Sequence, residues 1–234
     1  MNQAKIILLN GIAGSGKDSA IHHLRSLGYP LVRREAKGKL HELTMAFFCI
    51  QPERYWEIYE DRVLKETPLE DFHVHLEYEE AYYLDEVLGY RIFPLEDSFS
   101  KEHPRLIGNL SGSLCEVNLS AREAMIYISE IICKPRFGNN YFGVARAKAI
   151  QEDEIAVDSS TGFEEELPPL IERLGQGNIL LIRVHREGAT FEGDSRNYIP
   201  DGVINNTVDV QSVYGYLDEY LDTVEKIVNK FLNK

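Results

Sequence analysis

The chain has 234 residues, 44% of them hydrophobic and 27% charged, with a formal net charge of −13 at neutral pH. That length suits one domain with insertions, or a core plus a small lid, and is enough to bury a full sheet, while the acidity argues against nonspecific binding to nucleic acid polymers or anionic membranes, which needs Lys and Arg in excess. No apolar run approaches the roughly 20 residues that span a bilayer, and Cys49, Cys115 and Cys133 are widely separated with no ligand spacing, as reduced thiols of a soluble, cytoplasmic protein are.

The first element reads as a buried strand and not as a signal sequence, because only Lys5 precedes it and no small-residue cleavage pattern follows. Ile6, Ile7, Leu8 and Leu9 are apolar without alternation, the mark of a strand covered on both faces in a parallel sheet. The chain then turns through Gly11-Ile12-Ala13-Gly14-Ser15-Gly16-Lys17-Asp18-Ser19 into a helical pattern carried by Ala20, Ile21 and Leu24. Glycines let successive N–H groups point at a phosphate, and the helix N-terminus favours the same anion. Strand, glycine loop, lysine and helix together are the context of a phosphate-binding P-loop. Lys17 is placed to reach the β- and γ-phosphates of ATP, and Ser19 to ligate Mg²⁺. Asp18 stands where the general pattern has Ser or Thr. Beside phosphates its carboxylate is tolerable only if it faces the metal or a basic group.

Leu31-Val32 predicts a short second strand, after which Arg33 and Arg34 fall at the carboxyl edge of the sheet. There they either grip an acceptor phosphate or lie solvated at the surface. Residues 36–50 have helical spacing, ended by Gln51-Pro52, and further helical runs are predicted around 55–64 and 77–88. Trp56, Tyr59, Tyr78, Tyr82 and Tyr83 fit either a base pocket or, more often for such stripes, packing. Asp61 and Asp71 are candidate polar contacts on the acceptor side by position alone. His73 and His75 face the same side of a strand, but without a third ligand in view the pair does not argue for a metal. Residues 89–119, interrupted by Pro94, Pro104, Gly108 and Gly112, read as loops over the acceptor region.

Ser120-Ala121-Arg122-Glu123 predicts a helix start with a capping box. Arg122 in the first turn is opposed by the helix dipole, which favours a role in holding an anion. Arg146, on a following helix, is a weaker candidate for the acceptor phosphate. Residues 154–158 predict a core strand ending in Asp158, which either holds Mg²⁺ or its water shell, or caps the helix that follows; both can hold at once. Residues 178–184 predict another buried strand. The polar, glycine-hinged segment 185–200, with Arg186 and Arg196, has the composition of a lid that brings charge onto a transferring phosphoryl group, or of an ordinary solvated loop. Val203-Ile204 predicts a short last strand, and 213–232 an amphipathic helix whose stripe fits packing on the sheet and a homodimer face alike.

In these landmarks the chain resembles the deoxynucleoside monophosphate kinases encoded by tailed phages, of the P-loop kinase superfamily. The resemblance is carried by the loop GIAGSGKDS at 11–19, SAREA at 120–124, DSSTGFEEE at 158–166 and HREGATFEGDSR at 185–196. Ala121 stands where the family usually has Pro, and Ser160 where alignment through Gly162-Phe163 favours Asp. The resemblance implies a three-layer α/β fold with a mainly parallel central sheet, one kinase domain with its core at about 1–35 and 120–234, a helical acceptor-binding insertion at about 36–119 and a lid at about 185–200. It implies ATP and Mg²⁺ at residues 11–19, a deoxynucleoside monophosphate opposite, and residence in the host cytoplasm. Lys17, Arg122 and Arg186 would be the catalytic cations, with Arg186 also at ATP. The rivals are a kinase of another small phosphorylated acceptor and a nucleotide-dependent switch or binding protein.

Overall fold

The computed structural model describes residues 3–90, 92, 106–110, 114–192 and 196–233, without the side chains of residues 78, 106–110, 114 and 115. Pro94, Pro104, Gly112 and residues 193–195, together with the side chains of Tyr78 and Cys115, therefore lie outside the described part. The chain forms two compact units, one of Met1–Lys39 with Asn139–Lys234 and one of Leu40–Gly138.

In chain order the elements are β1 (Lys5–Asn10), α1 (Lys17–Ser26), β2 (Leu31–Arg33), α2 (Ala36–Phe47) and α3 (Pro52–Glu60). They continue with β3 (His73–Glu77), α4 (Tyr78–Leu88), β4 (Leu106–Leu110), β5 (Leu114–Asn118), α5 (Ala121–Ile126) and α6 (Lys134–Phe137). The last are α7 (Tyr141–Ala149), β6 (Ile155–Asp158), α8 (Pro168–Leu174), β7 (Ile179–Arg186), β8 (Asn206–Ser212) and α9 (Leu217–Leu232).

The first unit is built on a five-stranded sheet ordered β2-β6-β1-β7-β8, every pair parallel. The unbroken apolar run of β1 is explained by its two coverings. Ile7 and Leu9 join Ala20, Ile21 and Leu24 of α1 and Tyr220, Val224, Val228 and Phe231 of α9 on one face. Ile6 and Leu8 join Ala147 of α7 and Leu170 of α8 on the other. All four β1 side chains are fully buried, each contributing about 1.5–3 kcal/mol of gross burial. This is the α/β architecture, a parallel central sheet between helical layers, that the sequence predicts. The last strand is Asn206–Ser212 rather than 203–204. Val203 and Ile204 pack beneath the sheet with Ile179 and Leu181 instead.

The second unit carries an antiparallel sheet ordered β3-β5-β4. The period of two in β3 is plain: Val74 and Leu76 are buried, while His73, His75 and Glu77 are exposed. The capping box at the start of α5 forms as predicted, with the Glu123 N–H donating to Ser120 Oγ at 3.3 Å and the Ser120 N–H to Glu123 Oε2 at 2.7 Å. The following turns, Tyr127–Cys133, widen into a π-helix before α6. Pro135 supplies a reason, since it has no N–H for the Ile131 carbonyl and its ring presses on that group in an α-helix.

Candidate functional site

Parallel register aligns the carboxyl ends of β6, β1 and β7, with Leu8 opposite Asp158 and Asn10 opposite Arg183. The loop 11–16 leaves the central strand at that edge. Gly11 must be glycine, because a Cβ there would lie 2.5 Å from the Val184 carbonyl oxygen and 2.9 Å from Ser15 Oγ. Gly16 starts α1 at φ 96°, a left-handed conformation, with the Tyr220 ring 3.1 Å from where a Cβ would stand. The Tyr220 hydroxyl donates to the Gly16 carbonyl at 3.2 Å, so α9 braces the loop from behind. Burial and then the Asp18 carboxylate push the Tyr220 phenol well above its ordinary value, keeping it a donor.

Two cations converge on the loop. The Lys17 ammonium donates to the carbonyls of Gly11 at 2.7 Å and Ile12 at 2.6 Å, with Ser15 Oγ at 3.4 Å, and is 93% enclosed (7% exposed). Arg186, the last residue of β7, donates from Nη1 to the Gly14 carbonyl. Ala13, Gly14, Asp18 and Ser19 are exposed, whereas Ser15 is fully buried. The carbonyls that hold the ammonium are neutral acceptors.

Asp18 faces a basic group, as its position required. It accepts from Arg33 Nη2 at 2.8 Å and from Ser159 Oγ at 3.0 Å. The same Ser159 hydroxyl lies 3.0 Å from Glu35 Oε1, and Arg33 Nη1 lies 3.4 Å from that oxygen. Two carboxylates, a hydroxyl and a guanidinium thus gather beside the start of α1. Arg34 turns away from them. It makes a bidentate pair with Glu154, both bonds 2.7 Å, at the amino end of β6, and that pair holds its guanidinium above the ordinary value.

Asp158 and Arg146 are brought together, and both side chains are fully enclosed. Asp158 accepts from Arg146 Nη1 and, through Oδ1, from the Ser160 N–H at 2.6 Å and Ser160 Oγ at 2.7 Å. Arg146 also reaches Thr161 Oγ1 at 3.4 Å and the Glu166 carbonyl at 3.3 Å. Its charge is directed at Asp158 rather than at open space, and Asp158 faces a guanidinium rather than the mouth of the loop. Gly143 lets α7 approach closely enough for this, since a Cβ there would be 2.4 Å from the Glu166 carbonyl oxygen.

Sequence reading passes over Asn10, which organises the far wall. Fully buried at the end of β1, it donates to the carbonyls of Thr161 at 2.9 Å and Asn197 at 3.0 Å and accepts from the Ile199 N–H at 2.8 Å. The segment expected as a lid is therefore fastened at its distal end, where the Tyr198 hydroxyl also donates to the Val184 carbonyl at 3.0 Å. Residues 187–190 are exposed. A polar residue closing a run of apolar strand residues was the available signal for Asn10.

In the second unit Arg122 is half exposed, with Nη1 3.7 Å from Glu66. Tyr55, Trp56 and Tyr59 ring His41 at centroid distances of 4.6–5.6 Å, and His41 Nδ1 lies 2.6 Å from the fully buried Tyr55 hydroxyl. Part of the aromatic stripe is thus core, while Trp56, Tyr82 and Tyr83 are exposed. Asp61 accepts from the N–H groups of Val63 and Leu64 in a turn, and Asp71 pairs with Arg54, which holds its carboxyl below the usual range.

Neither a protein-family model nor a curated protein matches the chain. Among solved structures it is similar to a gluconokinase from Sinorhizobium meliloti 1021, at 13% identity over 98% of this chain and 94% of that one, with a TM-score of 0.40. A likeness of that strength decides neither fold nor substrate. No helix among the described residues is long and apolar enough to cross a membrane.

Proposed function

We propose that the protein is a P-loop kinase that transfers the ATP γ-phosphoryl group to a deoxynucleoside monophosphate, giving the diphosphate. The observation that carries the kinase reading is the placement of Lys17 and Arg186 on the carbonyls of one glycine loop at the N-terminus of α1. The choice of acceptor rests on the motif resemblance at 11–19 and 120–124.

The chemistry asks for little beyond positioning and charge neutralisation, because an acceptor phosphate is already an anionic nucleophile. Loop N–H groups and Lys17 would hold the β- and γ-phosphates. Arg186 would leave the Gly14 carbonyl for the transferring group, where its charge counts most as negative charge spreads over the equatorial oxygens. Ser19, exposed in the first turn of α1, would hold Mg²⁺, with Asp18 and Glu35 the carboxylates at that end. Bound there, the ion would supply positive charge to neutralise the phosphates and lower the repulsion that Asp18 otherwise presents. We assign Asp158 and Arg146 to holding the wall of the site, Arg33 to offsetting the charge of Asp18, and Arg122 to the acceptor phosphate.

The test is ADP production from ATP and Mg²⁺ with each deoxynucleoside and ribonucleoside monophosphate against a control without acceptor. Strong stimulation by one or more deoxynucleotides, with diphosphate product, is expected. Stimulation only by other phosphorylated metabolites would transfer the reading to another acceptor, and slow hydrolysis untouched by any acceptor would favour a switch.

A further inference from the structure

The exposed face of the antiparallel sheet in the second unit holds a constellation that phosphoryl transfer does not use. His73 and His75 project from the same face of β3, and Glu116 on β5 is the direct cross-strand partner of His75. Their donor atoms converge, with His73 Nε2 3.2 Å from His75 Nε2, and His75 Nε2 2.9 Å from Glu116 Oε1. One ligand atom from each of the three lies within 4.8 Å of the others. The pair of histidines alone was visible in the sequence; the third ligand comes from a strand some forty residues further on, through the register of the sheet.

The hydrogen bonding shows what the cluster lacks. Asn118, the cross-strand partner of His73, places Oδ1 3.2 Å from His73 Nδ1. An amide oxygen only accepts, so Nδ1 carries the hydrogen and His73 presents its Nε2 lone pair to His75. On the other side the Glu116 carboxylate also presents only acceptors. A single His75 N–H thus faces two acceptors at once. Replacing that proton with a divalent cation would give all three donors a partner.

We propose that His73, His75 and Glu116 form a Zn²⁺ site, with Asn118 orienting His73 from behind. Zinc bonds of about 2.0–2.1 Å to imidazole nitrogen and 2.0–2.2 Å to carboxylate oxygen, at tetrahedral angles, put donor atoms about 3.3–3.4 Å apart. The observed 2.9 and 3.2 Å separations lie within a few tenths of an ångström of that spacing, on two exposed imidazoles and a half-buried carboxylate. Two imidazoles and one carboxylate suit a borderline-soft transition ion and not Mg²⁺, which takes oxygen ligands in octahedral geometry. Ligating imidazoles in such sites donate their other N–H to an oxygen acceptor, and the Asn118 Oδ1 is placed as one for His73. Three protein ligands on an open face leave the fourth position to water or an exchangeable group. The site would clamp β3 to β5 and is independent of the P-loop.

The experiment is calorimetric titration of the chelator-stripped, full-length protein with ZnCl₂ in millimolar Mg²⁺. One Zn²⁺ per chain is expected, weakened at least 10-fold by His73→Ala, His75→Ala or Glu116→Gln and about 10- to 100-fold by Asn118→Ala. These side chains are exposed or half-buried, and unchanged far-UV circular dichroism identifies variants that keep the fold. A second acidic-histidine cluster, His23 with Asp222 and Glu225, serves as the control, and His23→Gln should leave the titration unaltered. Zinc K-edge absorption of the loaded wild type should count two imidazoles. Failure of the wild type to take up Zn²⁺ at 100 μM, loss of binding in His23→Gln, or undiminished binding in a His73→Ala/His75→Ala double variant would each overturn the assignment.

Discussion

Asp158→Asn separates the two roles this residue can have. In the structure its carboxylate is the counter-charge of Arg146, with both side chains fully enclosed. Asparagine keeps the size and an acceptor for the Ser160 N–H, so the principal loss is the negative charge. The guanidinium, whose Nε has no acceptor among the described residues, would then keep only the longer pair to Glu166 Oε2, 3.9 Å from Nη2, and breaking the close half of such a buried pair is on the scale of about 3–5 kcal/mol. With a urea m-value of roughly 2 kcal/mol per molar, the midpoint of unfolding should fall by about 2 M, followed by far-UV ellipticity. Removing both charges with Arg146→Met and Asp158→Leu should recover most of that loss, because neither ion is then left alone. A metal ligand behaves otherwise, with unfolding nearly unchanged and the Mg²⁺ requirement rising steeply. A midpoint shift below about 0.5 M for Asp158→Asn would refute the ion-pair reasoning.

Lys17→Ala should lower kcat by at least about 10³-fold, on the scale of losing a group that stabilises transition-state charge, while far-UV circular dichroism keeps its wild-type shape; retained turnover would remove the loop from the mechanism. Gly11→Ala should destabilise by about 1–3 kcal/mol, because its Cβ would sit 2.5 Å from the Val184 carbonyl oxygen, and should raise the ATP KM; an unaltered KM would show that the loop tolerates the shift. Arg122→Ala should raise the acceptor KM far more than the ATP KM, and equal effects would sink its assignment. The Asp209 carboxyl is held below 3.8 by its hydrogen bond from Arg183 and then by that from His185, against the opposing effect of burial. A depressed carboxylate lends stability that is fully present above its unfolded value and lost as pH falls through the folded one. The acid limb of a stability profile below about pH 4 should therefore flatten in Asp209→Asn.

The parallel sheet was legible because β1, β6 and β7 are each covered on both faces, so their apolar runs need no partner information to be read. The loop was legible because glycine spacing and one lysine are local signals. What escaped depended on contacts distant in sequence. Arg33 looked equivalent to its neighbour Arg34 in the sequence, yet strand alternation sends one to Asp18 and the other to Glu154. Arg146 reads from its helix as a weaker candidate for the acceptor phosphate, and only the approach of α7 to Glu166 at Gly143 buries it against Asp158. The last strand was misplaced because β8 begins with Asn206 and Thr207 and carries Asp209 and Gln211, an edge-strand composition without the continuous apolar run of the central strands. Glu116 has no special sequence context; cross-strand register alone makes it a neighbour of His75.

The position after the loop lysine carries the most informative departure from the general pattern. A hydroxyl there would serve a metal directly, whereas Asp18 brings a charge that repels phosphate unless something offsets it. The offset is built from β2 and the end of β6, where Arg33 neutralises the carboxylate and Ser159 ties it to Glu35. These three partners come from elements that the sheet order makes adjacent, since β2 lies beside β6 and β6 beside β1. Moving either strand would separate Asp18 from Arg33 and Ser159. The sheet order therefore supplies the partners of the carboxylate at position 18, and Ser19, one residue on, is the exposed hydroxyl in the first turn of α1 that we propose for Mg²⁺.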